Sequence, residues 1–232
     1  MSAHSARPAT SGSPRVALIH ATALAIDPIN EAFARLWPQV ELLNLLEDRL
    51  SQDRARDGCL TESMCGRFMA LARYGLSAGA EAILYTCSAF GPAIEAVAAS
   101  VAVPVLKPNE AMFEQALAGA SRIGLVATFE PSLAPMRDEL LAMARARGQV
   151  IELRECHVPD AMQRLAQGDT QGHHDRVAQG VATLADCDVV MLAQFSMAGA
   201  AVAAREQVRC PVLTSPDCAV QALRAALGAR AG

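Results

Sequence analysis

The chain has 232 residues, 52% of them hydrophobic but only 4% aromatic, and carries a formal charge of −4 with a pI near 5.7. That length fits one large domain or two small lobes, and a core so poor in aromatics has to be built from Ala, Leu, Val and Ile. An acidic chain with scattered Lys and Arg excludes nucleic acid and anionic membrane surfaces as expected partners, and no apolar run is long enough to suggest a membrane span.

Residues 1–14, MSAHSARPATSGSP, are small and polar without an apolar stretch, and are expected to be a disordered tail rather than a secretory signal. The first strand is then predicted at 16–20, followed by a helix at 27–36 entered through Asp27-Pro28. Strand 40–45 precedes a helix at 61–77 that opens on Thr61-Glu62, and strand 82–86 precedes one at 92–100 that opens on Gly91-Pro92. Strand 103–106 leads to a helix at 111–118 ending near Gly119, and strand 123–127 to one at 133–147 ending near Gly148. Strands at 150–153, 189–193 and 211–214 and helices at 174–184, 197–206 and 219–227 complete the alternation. The strands are apolar runs without polar alternation, as parallel strands covered on both faces require.

Three landmarks recur at one spacing. Arg15-Val16-Ala17-Leu18-Ile19 matches Arg122-Ile123-Gly124-Leu125-Val126, Ile83-Leu84-Tyr85-Thr86-Cys87 matches Val190-Met191-Leu192-Ala193-Gln194, and Val103-Pro104-Val105-Leu106 matches Cys210-Pro211-Val212-Leu213, each 107 positions apart. Ordered matches in one register predict a duplicated α/β unit. The expected fold is two pseudo-symmetric, doubly wound lobes with parallel four-stranded sheets and a cleft between them; the alternative is a single (βα)8 barrel. The first lobe is expected to take residues 15–105 plus 208–232, with the last helix packed on it, and the second residues 106–207.

In such sheets ligands bind beyond the carboxyl ends of the strands. The residues at those ends are Thr22, Thr86, Cys87 and Ser88 in the first half and Thr128, Gln194 and Ser196 in the second. Hydroxyls, an amide and free backbone N–H groups suit a carboxylate. Cys87, at a strand-to-helix turn, is expected to favour its thiolate, and the duplication sets Gln194 opposite it. Asn109 and Glu110 border the same region or cap a helix, and His20 ends its strand as a core residue or an additional base. Tyr85 and Phe90 are expected to pack, Lys107 to be solvated, and His173-His174 to lie in a solvated loop. The other six of the seven cysteines lack metal-ligand spacing, and the odd count predicts reduced thiols in a cytoplasm. No GxGxxG or P-loop follows the first strand, so neither cofactor nor metal is expected.

At Thr86-Cys87-Ser88 and its repeat counterpart the chain resembles the aspartate/glutamate/hydantoin racemase superfamily, over roughly residues 15–228. The resemblance implies a cofactor-independent enzyme in which one cysteine per lobe serves as acid or base at the substrate's α-carbon. The first maps onto Cys87. The second maps onto Gln194, whose amide is neither a useful acid nor a base. The resemblance therefore implies one-sided chemistry, with Cys87 transferring a proton or attacking a small carboxylate or amino acid, and Thr22, Thr86, Ser88, Thr128, Gln194 and Ser196 binding it. Arylmalonate decarboxylases and maleate isomerases, relatives in the superfamily, mark the decarboxylase and isomerase options. The competing expectation is a non-catalytic carboxylate-binding protein. Either one is compatible with a homo-oligomer.

Overall fold

The computed structural model describes residues 13–229, so the expected tail lies outside the described residues apart from Ser13 and Pro14. Eight strands form two open parallel sheets, with orders β2-β1-β3-β4 and β6-β5-β7-β8, rather than one closed barrel. The first sheet contains β1 (Arg15–His20), β2 (Glu41–Leu46), β3 (Ala82–Tyr85) and β4 (Val105–Leu106); the second contains β5 (Arg122–Ala127), β6 (Glu152–His157), β7 (Val189–Leu192) and β8 (Val212–Thr214).

The duplication is written in the register. Val16 pairs with Ala82 as Ile123 pairs with Val189, and Ile83 pairs with Val105 as Val190 pairs with Val212. Each of these residues stands 107 positions from its equivalent. The spacing changes at the outer strands, where Arg15 pairs with Glu41 but Arg122 pairs with Glu152. There β6 starts later than the expected 150–153, and Val150 is left 94% exposed. As an edge strand, β6 is only half buried and is mostly polar (Glu152, Arg154, Glu155 and His157), so an apolar-run criterion misplaces it.

The central strands are covered on both faces. Val16, Leu18, Ala82 and Leu84 meet α1 (Ile26–Leu36) and α10 (Ser215–Gly228), while Ala17, Ile19, Ile83 and Tyr85 meet α3 (Glu62–Ser77) and α4 (Gly91–Ser100). In the second sheet Ile123, Leu125, Val189 and Met191 pack on α5 (Glu110–Gly119) and α6 (Leu133–Ala146). Val126, Val190 and Leu192 pack on α8 (Thr170–Ala182) and α9 (Ala201–Arg205). This two-sided burial is why the central strands read as unbroken apolar runs.

Each lobe lends its last helix to the other. Helix α5 follows β4 of the first sheet yet packs on the second, and α10 follows β8 of the second yet packs on the first. The chain therefore returns to the first lobe after Thr214, not at residue 208, because Val212 pairs in register with Val190 in the second sheet. The exchanged helices meet where Ser215 Oγ donates to Asn109 Oδ1 at 2.8 Å and Gln115 Nε2 to Gln221 Oε1 at 2.9 Å.

Two helices were not expected, α2 (Arg49–Asp57) and α7 (Pro159–Ala166). Each fully buries one residue, Leu50 or Ala161, and both are too short and polar to show a long apolar stripe. Their signals are at the ends: Gly58 and Gly168 beyond them take φ +66 and +82, and Pro159 opens α7. The expected helix at 197–206 is also divided, into a 3-10 segment Phe195–Ala200 followed by α9.

Close approach fixes one glycine. A Cβ on Gly75 would lie 2.8 Å from the Cβ of Ala17, which the strand backbone holds in place. An exposed helical Gly→Ala change gains roughly 1 kcal/mol. Gly75→Ala is expected instead to destabilise by about 1–3 kcal/mol, the range for overpacking, read as a lower urea midpoint.

His173 and His174 lie in α8, not in a solvated loop. His173 is fully buried, and neither ring nitrogen has a hydrogen-bond partner. Burial, with His174 adding repulsion, holds its pKa below the usual histidine value. The unfolded chain therefore binds a proton that the folded protein resists, so this contribution to stability is present above ~6.5 and is lost as pH falls below it. His173→Leu is expected to raise stability by about 1 kcal/mol at pH 7, since it removes an unsatisfied buried group. It should also flatten the fall in urea midpoint between pH 7.5 and 5.5.

Candidate active site

The strand ends turn into short 3-10 segments in a repeating way. Thr22 caps Ala23–Ala25 after β1, accepting the Leu24 N–H at 3.4 Å, and Cys87 precedes Ser88–Phe90 after β3. In the second lobe Phe129 and Gln194 hold the corresponding positions ahead of Glu130–Ser132 and Phe195–Ala200. Between the lobes lies a cavity of about 220 Å³, smaller than the usual space for a drug-sized ligand.

Both lobes contribute to this cavity. Thr22, Thr86, Cys87 and Ser88 line it from the first, and Gln194 and Ser196 from the second, with Asn109 and Ser132. Leu24, Met136, Met162, Leu165 and Phe195 form an apolar wall. Cys87 is the one ionisable side chain in this lining among the described residues. The hydroxyls of Ser88 and Ser196 make no hydrogen bond within the described protein, leaving both available to a ligand. Asn109 is nearly buried and bound to Ser215, while Glu110 lies along a separate surface groove between α5 and α10.

Burial pushes the Cys87 thiol up, against the opposing pull of the Ala89 backbone and the Ser51 side chain. The expected thiolate is thus reversed: two hydrogen bonds do not offset the loss of water, and the group is a thiol at neutral pH.

Thr128 lies outside the cavity lining, behind Gln194. Its backbone N–H and hydroxyl donate to Gln194 Oε1 at 3.0 and 3.2 Å, and Gln194 Nε2 donates to Ser132 Oγ at 2.6 Å. Thr128 therefore orients Gln194 and is not itself placed against a ligand. Thr86 is also engaged: its Oγ1 lies 2.9 Å from His20 Nδ1 and 3.4 Å from the Ile19 carbonyl. His20 is fully buried, absent from the lining, and has its Nε2 2.9 Å from Asn44 Oδ1. It is a core residue placed directly behind Thr86.

The remaining candidates are structural. Tyr85 donates to the Phe68 carbonyl at 3.1 Å, and the rings of Tyr85 and Phe90 lie 5.0 and 4.6 Å from Phe68. Lys107 is paired with Glu139 at 2.9 Å and Glu95 at 3.2 Å. All seven cysteines are free, and Cys218, buried between α10 and α5, has its pKa pushed up to about 12. No cluster of three or more His, Cys, Asp or Glu is arranged to hold a metal among the described residues. Nor is any described helix long and apolar enough to cross a membrane.

Ser132, Met162 and Leu165, which line the cavity, and Ser51, which touches Cys87 from behind it, are residues that the sequence reading missed. Ser51 and the Met162–Leu165 pair come from the two unexpected helices. Ser132 is signalled only by the Pro131-Ser132 helix entry, which reads as a cap.

A pocket between duplicated lobes, with a thiol on one side and its repeat position Gln194 on the other, defines a two-lobed α/β protein whose candidate site is shared by both lobes. The chain belongs to the Asp/Glu/Hydantoin racemase family, whose sequence profile matches residues 18–223. Its fold is similar to that of allantoin racemase from Klebsiella pneumoniae, with TM-score 0.71 and 20% identity over 94% of this chain and 89% of that one. It is also similar to Picrophilus torridus aspartate racemase, with TM-score 0.69 and 13% identity over 93% of this chain and 95% of that one. An arylmalonate decarboxylase matches at TM-score 0.64 and 16% identity over 93% of each chain. No curated protein matches the sequence.

Proposed function

We propose that the protein is an enzyme that transfers a proton to one face of the α-carbon of a small carboxylate, with Cys87 as the proton donor. The carrying observation is that Cys87 is the only ionisable side chain lining the pocket among the described residues, and that burial keeps it a thiol. A lone acid supports delivery of a proton to a preformed carbanion better than abstraction from one face and return to the other, which needs two groups. Decarboxylation of a substituted malonate supplies such a carbanion without a base. The bond from the α-carbon to one carboxyl breaks, CO2 leaves, and the electron pair remains as an enediolate. The Cys87 thiol then protonates the α-carbon and is reprotonated from solvent. Ser88 and Ser196 hold the remaining carboxylate, and the wall of Leu24, Met136, Met162 and Leu165 takes an apolar substituent. No cofactor takes part in this scheme.

The test is a malonate bearing a methyl and an apolar group on its α-carbon, supplied in D2O. Expected are CO2 release and a product that carries one deuterium and is of a single hand. Racemisation of free aspartate or glutamate, with no action on the malonate, would overturn this reading. A second reading, a carboxylate-binding protein without turnover, draws on the raised Cys87 pKa and the Gln194 amide; saturable binding with no CO2 release would establish it.

A further inference from the structure

The pocket proposed to receive an anion has no cationic side chain in its lining among the described residues, so something else has to balance the charge. Directly behind Thr86 stands a chain of hydrogen bonds from Thr86 Oγ1 to His20 Nδ1 at 2.9 Å, from His20 Nε2 to Asn44 Oδ1 at 2.9 Å, and from Asn44 Nδ2 to Asn30 Oδ1 at 3.2 Å. Asn44 is exposed, so the chain runs from the pocket wall to solvent. Its polarity follows from the donors. Asn44 Oδ1 accepts only, so His20 Nε2 carries a hydrogen. In the neutral ring Nδ1 is then an acceptor, and the single hydrogen of the Thr86 hydroxyl points to it. In that state Thr86 has no hydrogen for a carboxylate.

Protonation of His20 reverses the last bond. The imidazolium donates from both nitrogens, Thr86 becomes the acceptor, and its hydroxyl hydrogen is left with only the long contact to the Ile19 carbonyl at 3.4 Å, which a carboxylate in the pocket would outcompete. The repeat gives the second lobe no such device, because the position equivalent to His20 is Ala127.

We propose that His20 is the positioning residue that balances substrate charge: it takes up a proton as a carboxylate enters the pocket, and Thr86 then turns its hydroxyl hydrogen to that carboxylate. Burial holds the empty-pocket His20 below the usual histidine range, with Asn44 opposing, so the proton is absent until an anion arrives. Cys87 does not compete for this role, since its thiol is already protonated. Of the charged groups on the neighbouring elements, Asp27 and Glu31, on α1 with Asn30, have no ion-pair partner among the described residues. Glu47, whose N–H bonds the His20 carbonyl, and Asp53 of α2 both pair with Arg67 of α3 at 2.7 Å. Linkage makes the coupling reciprocal: if the anion raises the proton affinity of His20, protons raise the affinity for the anion.

This inference rests on the carboxylate pocket proposed above, and calorimetry separates the two. Phenylacetate is titrated into the whole protein between pH 6 and 8, in buffers of differing ionisation enthalpy. Expected is uptake of up to about one proton per ligand, with Kd rising up to about tenfold per pH unit at the alkaline end. His20→Gln keeps a donor and an acceptor but takes no proton, and should abolish both the uptake and the pH dependence. Asn44→Asp, at an exposed position, should keep His20 charged in the empty protein, reduce uptake at pH 7 and extend tight binding to higher pH. Binding without proton uptake in the wild type, or uptake unchanged in His20→Gln, overturns the inference and leaves the pocket intact. Absence of any binding removes the pocket reading, and the inference with it.

Discussion

Cys87→Ala is expected to lower the rate of malonate decarboxylation by about 10²–10⁴-fold, the usual contribution of a positioned proton donor, while Kd for phenylacetate changes little. The split follows from position. Cys87 lines the cavity together with Ser88 and Thr86, yet the unbonded hydroxyls of that lining, proposed to hold the carboxylate, belong to Ser88 and Ser196. Cys87→Ser is the sharper variant. It preserves size and a hydrogen-bond donor but offers a hydroxyl far less acidic than a thiol, so it should fall close to Cys87→Ala. The pH profile provides a second check. Because burial raises the Cys87 pKa, the rate at saturating substrate should hold across neutral pH and decline only as the thiol ionises on the alkaline side. A catalytic thiolate would give the opposite, with activity rising from acid to neutral pH as the thiol ionised. A rate that survives Cys87→Ala would transfer the weight to the binding-protein reading.

How much of this was legible in the sequence depends on burial. Strands covered on both faces appear as continuous apolar runs, and β1 recurs as β5 and β3 as β7, each 107 positions on, so the two-lobed duplication can be read directly. The half-buried edge strand β6 and the thinly packed α2 and α7 leave weak patterns. With them went Ser51, Met162 and Leu165. The positions of Cys87 and Gln194 followed from the repeat, because strand ends are fixed by the strands. The direction of hydrogen bonds was hidden. Nothing in Thr86 or Thr128 as residue types tells that one hydroxyl is held by His20 and the other by Gln194. The Cys87 pKa was misjudged for a related reason: a turn position is visible in sequence, whereas the burial that outweighs it is a property of the assembled lobes.

Gln194→Cys is expected to turn one-sided protonation into exchange on both faces. The wild-type site holds Gln194 by three bonds, two from Thr128 to Oε1 and one from Nε2 to Ser132. Shortening the side chain vacates the Thr128 N–H and hydroxyl, and both then point toward the new sulfur. Donors aimed at a thiol favour its thiolate, so the introduced cysteine should be the more acidic of the two, while burial keeps Cys87 a thiol. An acid on one lobe and a base on the other form the pair that α-carbon racemisation needs. The measurable result is a product whose enantiomeric purity collapses and whose α-hydrogen exchanges with D2O, which the wild-type protein should not catalyse. Leaving the buried Thr128 groups partly unpaired should cost about 1–3 kcal/mol of stability, so the variant needs to be assayed well below its melting temperature. Adding Cys87→Gln to this variant leaves the second-lobe cysteine as the only proton donor of the pocket, and at a pH low enough to keep that cysteine a thiol the product should form with the opposite hand. Were the hand unchanged in that double variant, the proton would be coming from solvent rather than from either thiol.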